Sequence, residues 1–460
     1  MLGWLEQVNE SINGVVWGPV TLFLFLATGI WFTLGTGWFQ LSKIGLIFRN
    51  TLGSLGKNRL RKNGGISPFQ AMSTALAGTM GVGNITGIAT AMTLGGAGSI
   101  FWMWISAFFG MMTKYAEVLL AVRYRQKGAS GYFGGPMYYM EKGVGSKVLA
   151  IIFSCLCIAA SLGVGNMTQS NAISLATNQL WSFPYWLSGL LTALAIGLVI
   201  IGGIRRIALV TEWMIPFLSI GYLTCSILVL ILRADRLPEA IHLIFSSAFT
   251  PASAAGGVAG YTVSQAMRFG FARGIFSNEA GLGSAGIAAA SADASSPVQQ
   301  GYISMTGAFF DTIIICTVTG LAICCSGVLG AVDASGAPVD GAALTILAFQ
   351  TVLGDLGGKC IALFIVLFAF STILGWEYQG ETAFSYLTRD RGRMAYRLVY
   401  VLAVLLGARA RLETVYLLSD ICNALMCMPN LICLMAMSGE AAAAVRHASF
   451  GRPLRQKISV

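Results

Sequence analysis

Residues Ala77 to Gly87 read Ala-Gly-Thr-Met-Gly-Val-Gly-Asn-Ile-Thr-Gly, with four glycines, two threonines, one asparagine and no charge. They interrupt an apolar segment, Pro68–Leu94, long enough to cross a bilayer. Glycine weakens a helix and adds no packing area. If the helix unwinds here, it frees N–H and C=O groups, which are tolerated at that depth only against protein, water or a ligand. The N–H end of a half-helix attracts an anion, and freed carbonyls hold a cation. Close helix contact through small residues is the alternative use of Gly78, Gly81, Gly83 and Gly87.

A second such stretch runs from Arg273 to Gly286, with glycines at 274, 281, 283 and 286 and the polar run Ser277-Asn278-Glu279. Gly281-x-Gly283-x-x-Gly286 spells a dinucleotide fingerprint, but no strand–helix–strand unit surrounds it. Ser371 and Thr372 lie mid-segment beside Gly375, and their hydroxyls suit a hard cation such as sodium. Back-bonding to the helix's own carbonyls is their structural alternative. Gln169 lies mid-segment and can bond a substrate or a neighbouring helix. Charges within apolar segments are candidates by default: Glu117, Glu212, Arg273, Glu279, Asp311, Glu377, Glu381 and Asp420. Lys114 and Glu117 have the spacing of a helical ion pair. Asn84-Ile-Thr86 and Asn166-Met-Thr168 match glycosylation sequons but fall inside apolar segments.

The elements that position these residues are membrane helices. The chain has 460 residues, 56% hydrophobic and 10% charged, with a mean hydropathy of +0.73. A soluble domain carries about 25% charged residues. Apolar segments fall at Val15–Phe39, Pro68–Leu94, Ser99–Val122, Lys147–Leu175, Tyr185–Gly203, Ile207–Leu232, Gly257–Ala290, Pro297–Gly327, Cys360–Leu387, Met394–Ala408 and Leu412–Met437. Taken as spans of about 20 residues each, they make eleven crossings. Gly341–Leu356 is too short for another and reads as a re-entrant or surface helix. Leu2–Asn13 carries Glu6 and Glu10 and no basic residue, a poor signal-peptide start, so the first span is expected to stay.

Lys and Arg support this count. If spans alternate, 21 of the 29 basic residues fall on one face and five on the other, with Lys114, Arg268 and Arg273 inside spans. The bias places the N-terminus outside and the C-terminus in the cytoplasm. The net charge of +10 is thus a topology signal and speaks for no nucleic-acid partner. The ten cysteines lie in apolar segments and match neither a disulfide framework nor a zinc spacing. Spans two and seven, which hold the two breaks, are five apart and run in opposite senses. Paired interrupted helices of that kind point to an inverted-repeat transporter. Span one then stands outside two five-helix repeats. The expected division is 1–64 for the first span and its linker, 65–232 and 233–440 for the repeats, and 441–460 for a cytoplasmic tail. A channel would want pore-loop repeats or rings of like charge. An embedded enzyme would want a nucleophile or metal set, and only His242 and His447 are present.

At these motifs the chain resembles the alanine or glycine:cation symporter family. The resemblance rests on Ala77–Ala91, Gly95–Trp104, Lys114-Tyr-Ala-Glu117, Gly134–Tyr139, Arg273–Gly281, Gly375–Glu381, Cys422–Met426 and Pro429-Asn-Leu431. It implies an all-α polytopic protein of the leucine-transporter type, with 5+5 inverted repeats and one extra N-terminal helix. It also implies uptake of alanine, glycine and in some members D-alanine with sodium, or a proton, across the inner membrane. No obligate protein partner is expected. By the resemblance, the substrate carboxylate meets the amides around Gly81, Val82 and Gly83, with Thr79 and Asn84 lining the break. Gln169 matches a substrate-side glutamine, and Phe276, Ser277 and Asn278 match the second break. Trp376 limits side-chain size. The sodium ion is held by carbonyls of Ala77 and Met80 and hydroxyls of Ser371 and Thr372. Two positions depart from the family pattern: Gly286, where proline is usual, and Glu377, where an aromatic or neutral residue is.

Overall fold

Proline and capping serines set where several helices begin. Pro19, Pro68, Pro136 and Pro297 each occupy a first helical turn. Ser67 accepts from Gln70 N–H while the Gln70 side chain accepts from Ser67 N–H, closing a capping box ahead of Pro68. Ser296 caps Pro297 in the same sense through Gln299 N–H. The resulting protein is almost entirely helical, in a computed structural model that describes residues 12, 14–55, 65–128, 131–249, 263–294, 296–410 and 412–449. Lys57, Arg59, Arg61 and Lys62 of the linker lie outside the described residues. So do Glu6, Glu10, Arg411, the first part of the seventh apolar segment and the tail from 450 onward.

Helix occurs in all eleven apolar segments read from the sequence. Among the described residues, six helices are long and apolar enough to cross a membrane: Gly14–Gly35, Ser99–Arg123, Lys147–Trp181, Gly203–Leu232, Pro297–Ser326 and Gly341–Thr388. The pair Asp420–Ala436 and Ser438–Val445, bent by 63°, makes a seventh if counted as one span. Two of these helices carry π-helical turns, at Gly163–Met167 and Phe309–Cys316. Such turns insert a residue and frequently sit at functional positions. The helix Gly341–Thr388 is bent where Gly354 adopts φ 71°, ψ −166°. Its first arm is tied to the end of the first break by Thr345 Oγ1, which donates to Ile85 O at 3.0 Å.

Large apolar side chains face outward along the helices, as expected of a surface solvated by lipid. Trp213 is 80% exposed and Phe217 70%. Polar residues are turned inward. Glu117, Asp311, Lys114, Gln379 and Asn430 are all essentially fully buried. Main chain ties the segment before Pro68 to the one that follows the second break. Ile66 pairs with Ala292 in an isolated parallel bridge, and Asp293 N–H donates to Ile66 O at 2.7 Å. Arg125 donates to Ala292 O and stacks on Tyr132 of the hairpin Gln126–Gly128/Gly131–Phe133.

Candidate functional site

Both glycine-rich stretches interrupt their helices. The first half-helix, Pro68–Thr79, ends in a turn in which Gly81 N–H donates to Thr79 O. A single 3-10 turn, Val82–Asn84, follows before Thr86–Gly95 resumes. As the first two residues of that turn, Val82 and Gly83 have N–H groups with no partner in their own helix. The backbones pack too closely here for side chains. A β-carbon on Gly375 would lie 2.6 Å from Gly78 N, and one on Gly81 would overlap the Thr372 hydroxyl.

The second break spans residues 279–283, between Val263–Asn278 and Ser284–Ala290. Glu279, Gly281 and Gly283 have φ of 52°, 80° and 93°. Glycine adopts that region freely, whereas a glutamate there is strained by its β-carbon. The amides that this break exposes already have an acceptor. Glu117 takes Gly281 N–H at 3.2 Å and Gly283 N–H at 3.0 Å on one oxygen, and Gly286 N–H at 3.1 Å on the other. Asn430 Nδ2 adds a fourth bond at 3.2 Å, and Tyr139 donates to the Asn430 oxygen. The second break is therefore closed by a built-in carboxyl group, while the first is not. Proline at 286 could not donate to Glu117, which gives the departure at Gly286 a structural role. Lys114 and Glu117, spaced for an ion pair, instead serve this break separately. Lys114 Nζ donates to Asn278 O at 2.6 Å.

A small cavity of about 10 Å³, roughly the volume one water needs, touches both breaks. Thr79, Gly81, Gly83, Gln169, Phe276, Thr372 and Trp376 line it, as do Gly78, Val164, Glu279 and Asn423. Trp376 is wedged against Gly165 of the π-helical turn, and its carbonyl accepts from Ser161 at 2.7 Å. A larger cavity of about 450 Å³ shares Gly83, Gln169 and Phe276 with the small one. It continues past Thr86, Thr90 and Arg273 to Asp340. Gly83, Gln169 and Phe276 thus border both cavities.

Four residues assigned by resemblance to the substrate are not on the small cavity; one of them, Val82, lines only the larger one. Asn84 donates to Asp311 Oδ1 at 2.6 Å, and Ser277 donates to Asp311 Oδ2 at 2.7 Å. Asn278 uses its oxygen on Ala280 N–H at 3.0 Å. Asp311 therefore joins the two breaks from the π-helical turn Phe309–Cys316. At the assigned cation position, Thr372 Oγ1 lies 3.0 Å from Ala77 O and 3.0 Å from Phe368 O, and Ser371 Oγ lies 2.8 Å from Phe368 O. The hydroxyl and carbonyl of Thr372 and Ala77 are thus close enough to share one ligand. Among the described residues no cluster of three His, Cys, Asp or Glu side chains forms a metal cage. Glu377 is buried next to Trp376, 3.8 Å from Arg397 Nε, while Arg397 grips Glu381 with a two-point fork of 2.5 and 2.9 Å. Sequence reasoning did not place Asn423 or Glu279 at the site. Their only signals were the motif Cys422–Met426 and a charge inside an apolar segment.

Comparison with known proteins agrees with this architecture. A solved manganese transporter from Eremococcus coleocola superposes with a TM-score of 0.53 at 13% identity, over 84% of this chain and 88% of that one. The fold is that of a mostly helical polytopic membrane transporter, and its structural neighbours are of the leucine-transporter type. Among curated sequences, an uncharacterized transporter of Haemophilus influenzae is 44% identical over 436 residues, covering 94% of each chain. The sodium/alanine symporter AgcS of Methanococcus maripaludis is 41% identical over 446 residues, 95% of this chain and 96% of that one. The family model described as the sodium:alanine symporter family matches residues 2–455. With two interrupted helices, a cavity between them and a match along almost its whole length, the chain belongs to the sodium:alanine symporter family and is a transporter rather than an enzyme.

Proposed function

We propose that the protein imports a small neutral amino acid, alanine or glycine and with them D-alanine, by symport with sodium. The observation that carries the reading is the asymmetry of the two breaks. Glu117 occupies the amides of the second, while Val82 and Gly83 begin a turn whose N–H groups have no carboxyl partner among the described residues, and Gly83 lines the small cavity. A substrate carboxylate fits that place by charge and by hydrogen bonding. The names of relatives add support, since AgcS is a sodium/alanine symporter. The full topology belongs to the same reading: eleven spans in the inner membrane, the N-terminus outside and the C-terminus cytoplasmic. Its divisions are 1–64, two inverted five-helix repeats at 65–232 and 233–440, and a tail at 441–460. Alternating access then moves the small cavity between two faces. Gln169 and Phe276 are the thin side, toward the larger cavity; the Ile66–Ala292 bridge and the Arg397–Glu381 fork are the thick side. Sodium is the coupling ion in this reading, with a proton as its substitute.

Thr372 supplies one test. Sodium would take a lone pair of Thr372 Oγ1 while the hydroxyl donates its proton to the Phe368 carbonyl. Thr372→Ala removes that oxygen without adding bulk, and Ser371→Ala does so one residue earlier. Each raises the sodium concentration for half-maximal uptake, Thr372→Ala by about tenfold, the equivalent of one lost contact of about 1.4 kcal/mol. Unchanged sodium dependence in both variants places the ion elsewhere.

Trp376 supplies the second test, and it addresses the substrate. It is 2% exposed and lines the cavity, with its ring beside Gly78 of the first half-helix. A pocket that merely binds a methylene less well discriminates by only about 1–3 kcal/mol. Steric clash with a fixed ring excludes more strongly. Trp376→Leu therefore admits serine, valine or leucine as competitors of labelled alanine uptake, with little change in sodium dependence. An active, folded Trp376→Leu that still excludes valine and leucine would remove Trp376 as the size filter.

A further inference from the structure

Glu377 is a carboxyl group without a donor. It follows Trp376 on the helix Gly341–Thr388, is 1% exposed, and neither of its oxygens accepts a hydrogen bond from the described residues. The groups around it are committed elsewhere. Tyr396 and Tyr400 face it from helix Arg393–Gly407. Tyr396 pairs its hydroxyl with Ser161 at 3.0 Å, and Tyr400 donates to Ile373 O at 2.9 Å. Cys157, from helix Lys147–Leu162, stands beside Tyr396 and donates to Gln379 O. Among the described residues Arg397 is the one cation paired with Glu377, and its Nε stays 3.8 Å from Glu377 Oε1. That Nε already donates to Glu381 Oε2, and a second guanidinium nitrogen donates to Glu381 Oε1. A third donates to Ile201 O at 3.2 Å. Arg393 comes within 3.8 Å of Glu381 but is bonded to Asp390.

Two buried carboxyl groups thus share one guanidinium, and the fork gives it to Glu381. Glu377 and Glu381 are four residues apart in one helix, so they lie on the same face. Two like charges in one water-poor place, served by one cation, disfavour ionising together. A proton on Glu377 removes the conflict and gives it an O–H to donate toward Glu381. Water comes closest at the fork. Glu381 and Arg397 line a cavity of about 270 Å³ together with Gly202, Gly203, Arg205 and Tyr378. Glu381 also lines a second cavity of about 350 Å³, with Tyr386 and Arg389. Glu377 lines neither, so the fork stands between it and that water.

We propose that Glu377 is a proton-binding site of the thick side, holding a proton while the Arg397–Glu381 fork is closed and giving it to water of these cavities when the fork opens. The proton leaves and returns by that one face. It is therefore not carried across with the substrate, and it sets how readily the thick side opens. This rests on the alternating-access reading above, in which the thick side faces the cytoplasm. The sign follows from linkage. The closed form binds one proton more than the open form, so raising the pH on that face favours opening. One proton limits the effect to about tenfold per pH unit.

The test compares the full chain as wild type, Glu377→Gln and Glu381→Gln in two readouts. The first is labelled alanine uptake by proteoliposomes of a single checked orientation, under a fixed sodium gradient. The pH is set separately on each face between about 6 and 8.5, where buried carboxyl groups titrate. Wild-type uptake is expected to rise severalfold with pH on the thick side and to ignore pH on the other. Glu377→Gln keeps the shape of the protonated group and stays at the slow level throughout. Glu381→Gln frees Arg397 for Glu377 and moves the rise to lower pH by about one unit. The second readout needs no transport: the melting temperature in detergent. The folded chain holds a proton on Glu377 that the unfolded chain releases, so this contribution to stability is lost as pH rises. Glu377→Gln is expected to melt with wild type near pH 6 and above it by about 2 °C near pH 8.5.

A Glu377→Gln chain that keeps the wild-type pH dependence in either readout overturns the proposal. So does wild-type uptake that is flat with thick-side pH. Uptake that follows the pH of the opposite face overturns it as well, and makes the proton a transported ion. An unshifted pH profile in Glu381→Gln removes the shared guanidinium on which the site is built. A wild-type chain that takes up neither alanine nor glycine under a sodium gradient defeats the functional reading instead, and the melting comparison then decides alone whether Glu377 binds the proton.

Discussion

Gly83→Leu abolishes uptake of every substrate, to below roughly 5% of wild type, on the scale expected when a close-packed position is overfilled. A β-carbon at Gly83 would lie 3.0 Å from Cε1 of Phe276, closer than nearly all real contacts of that kind. The leucine side chain adds three more carbons between the first break and the ring that borders the two cavities. It therefore fills the space at Gly83, where the proposed carboxylate end of the site, shared by all amino acids, borders the cavity. Gly83→Ala adds the β-carbon alone and retains part of the activity, since the Phe276 ring can shift by a few tenths of an ångström. The measurement is labelled alanine uptake, with size-exclusion profile and surface expression showing that the variant folds. Normal transport by a folded Gly83→Leu protein would misplace the amide cradle.

Glu117→Leu has the second large effect, and it acts on stability. The carboxyl group accepts four hydrogen bonds, from Gly281, Gly283 and Gly286 N–H and from Asn430 Nδ2. Leucine leaves four buried donors unpaired at about 1–3 kcal/mol each, a total on the order of 5 kcal/mol after relaxation. That is comparable with the net stability of a typical protein. The variant accumulates little folded protein, and what is purified melts well below wild type in detergent. Glu117→Gln keeps one acceptor oxygen and turns an NH₂ group toward amides that also donate, so it lies between the two. A Glu117→Leu protein with the wild-type melting temperature would show that the second break is held by something else.

The places where helices break were legible because glycine announces them. Residues 80–85 and 279–283 are where the helices stop, and both had been marked by their glycine spacing. The positions of Gln169 and Trp376 at the small cavity came from resemblance, since a lone glutamine or tryptophan in an apolar run has packing as its ordinary use. What stayed hidden were contacts between segments far apart in sequence. Asn84 and Ser277 read as site residues from their own helices, yet both turn to Asp311, 227 and 34 residues away. Nothing local to Glu117 shows that its partners are amides more than 160 residues on. Lys114 and Glu117 illustrate the same point. Helical spacing allows a pair on one face, but the exposed backbone of the second break offers both groups stronger partners. Gly354 bends a helix that composition alone divides differently, because its φ of 71° is a property of the folded backbone.

The account stands most directly on one experiment with the unmodified chain. Purified protein is placed in proteoliposomes, and labelled alanine uptake is followed with an inward sodium gradient, with equal sodium on both sides, and with potassium in its place. The expected result is transient accumulation above equilibrium only under the sodium gradient, saturating with alanine and competed by glycine. Uptake that is indifferent to the sodium gradient, or that rises linearly with alanine, would contradict a sodium-coupled carrier built around the first break.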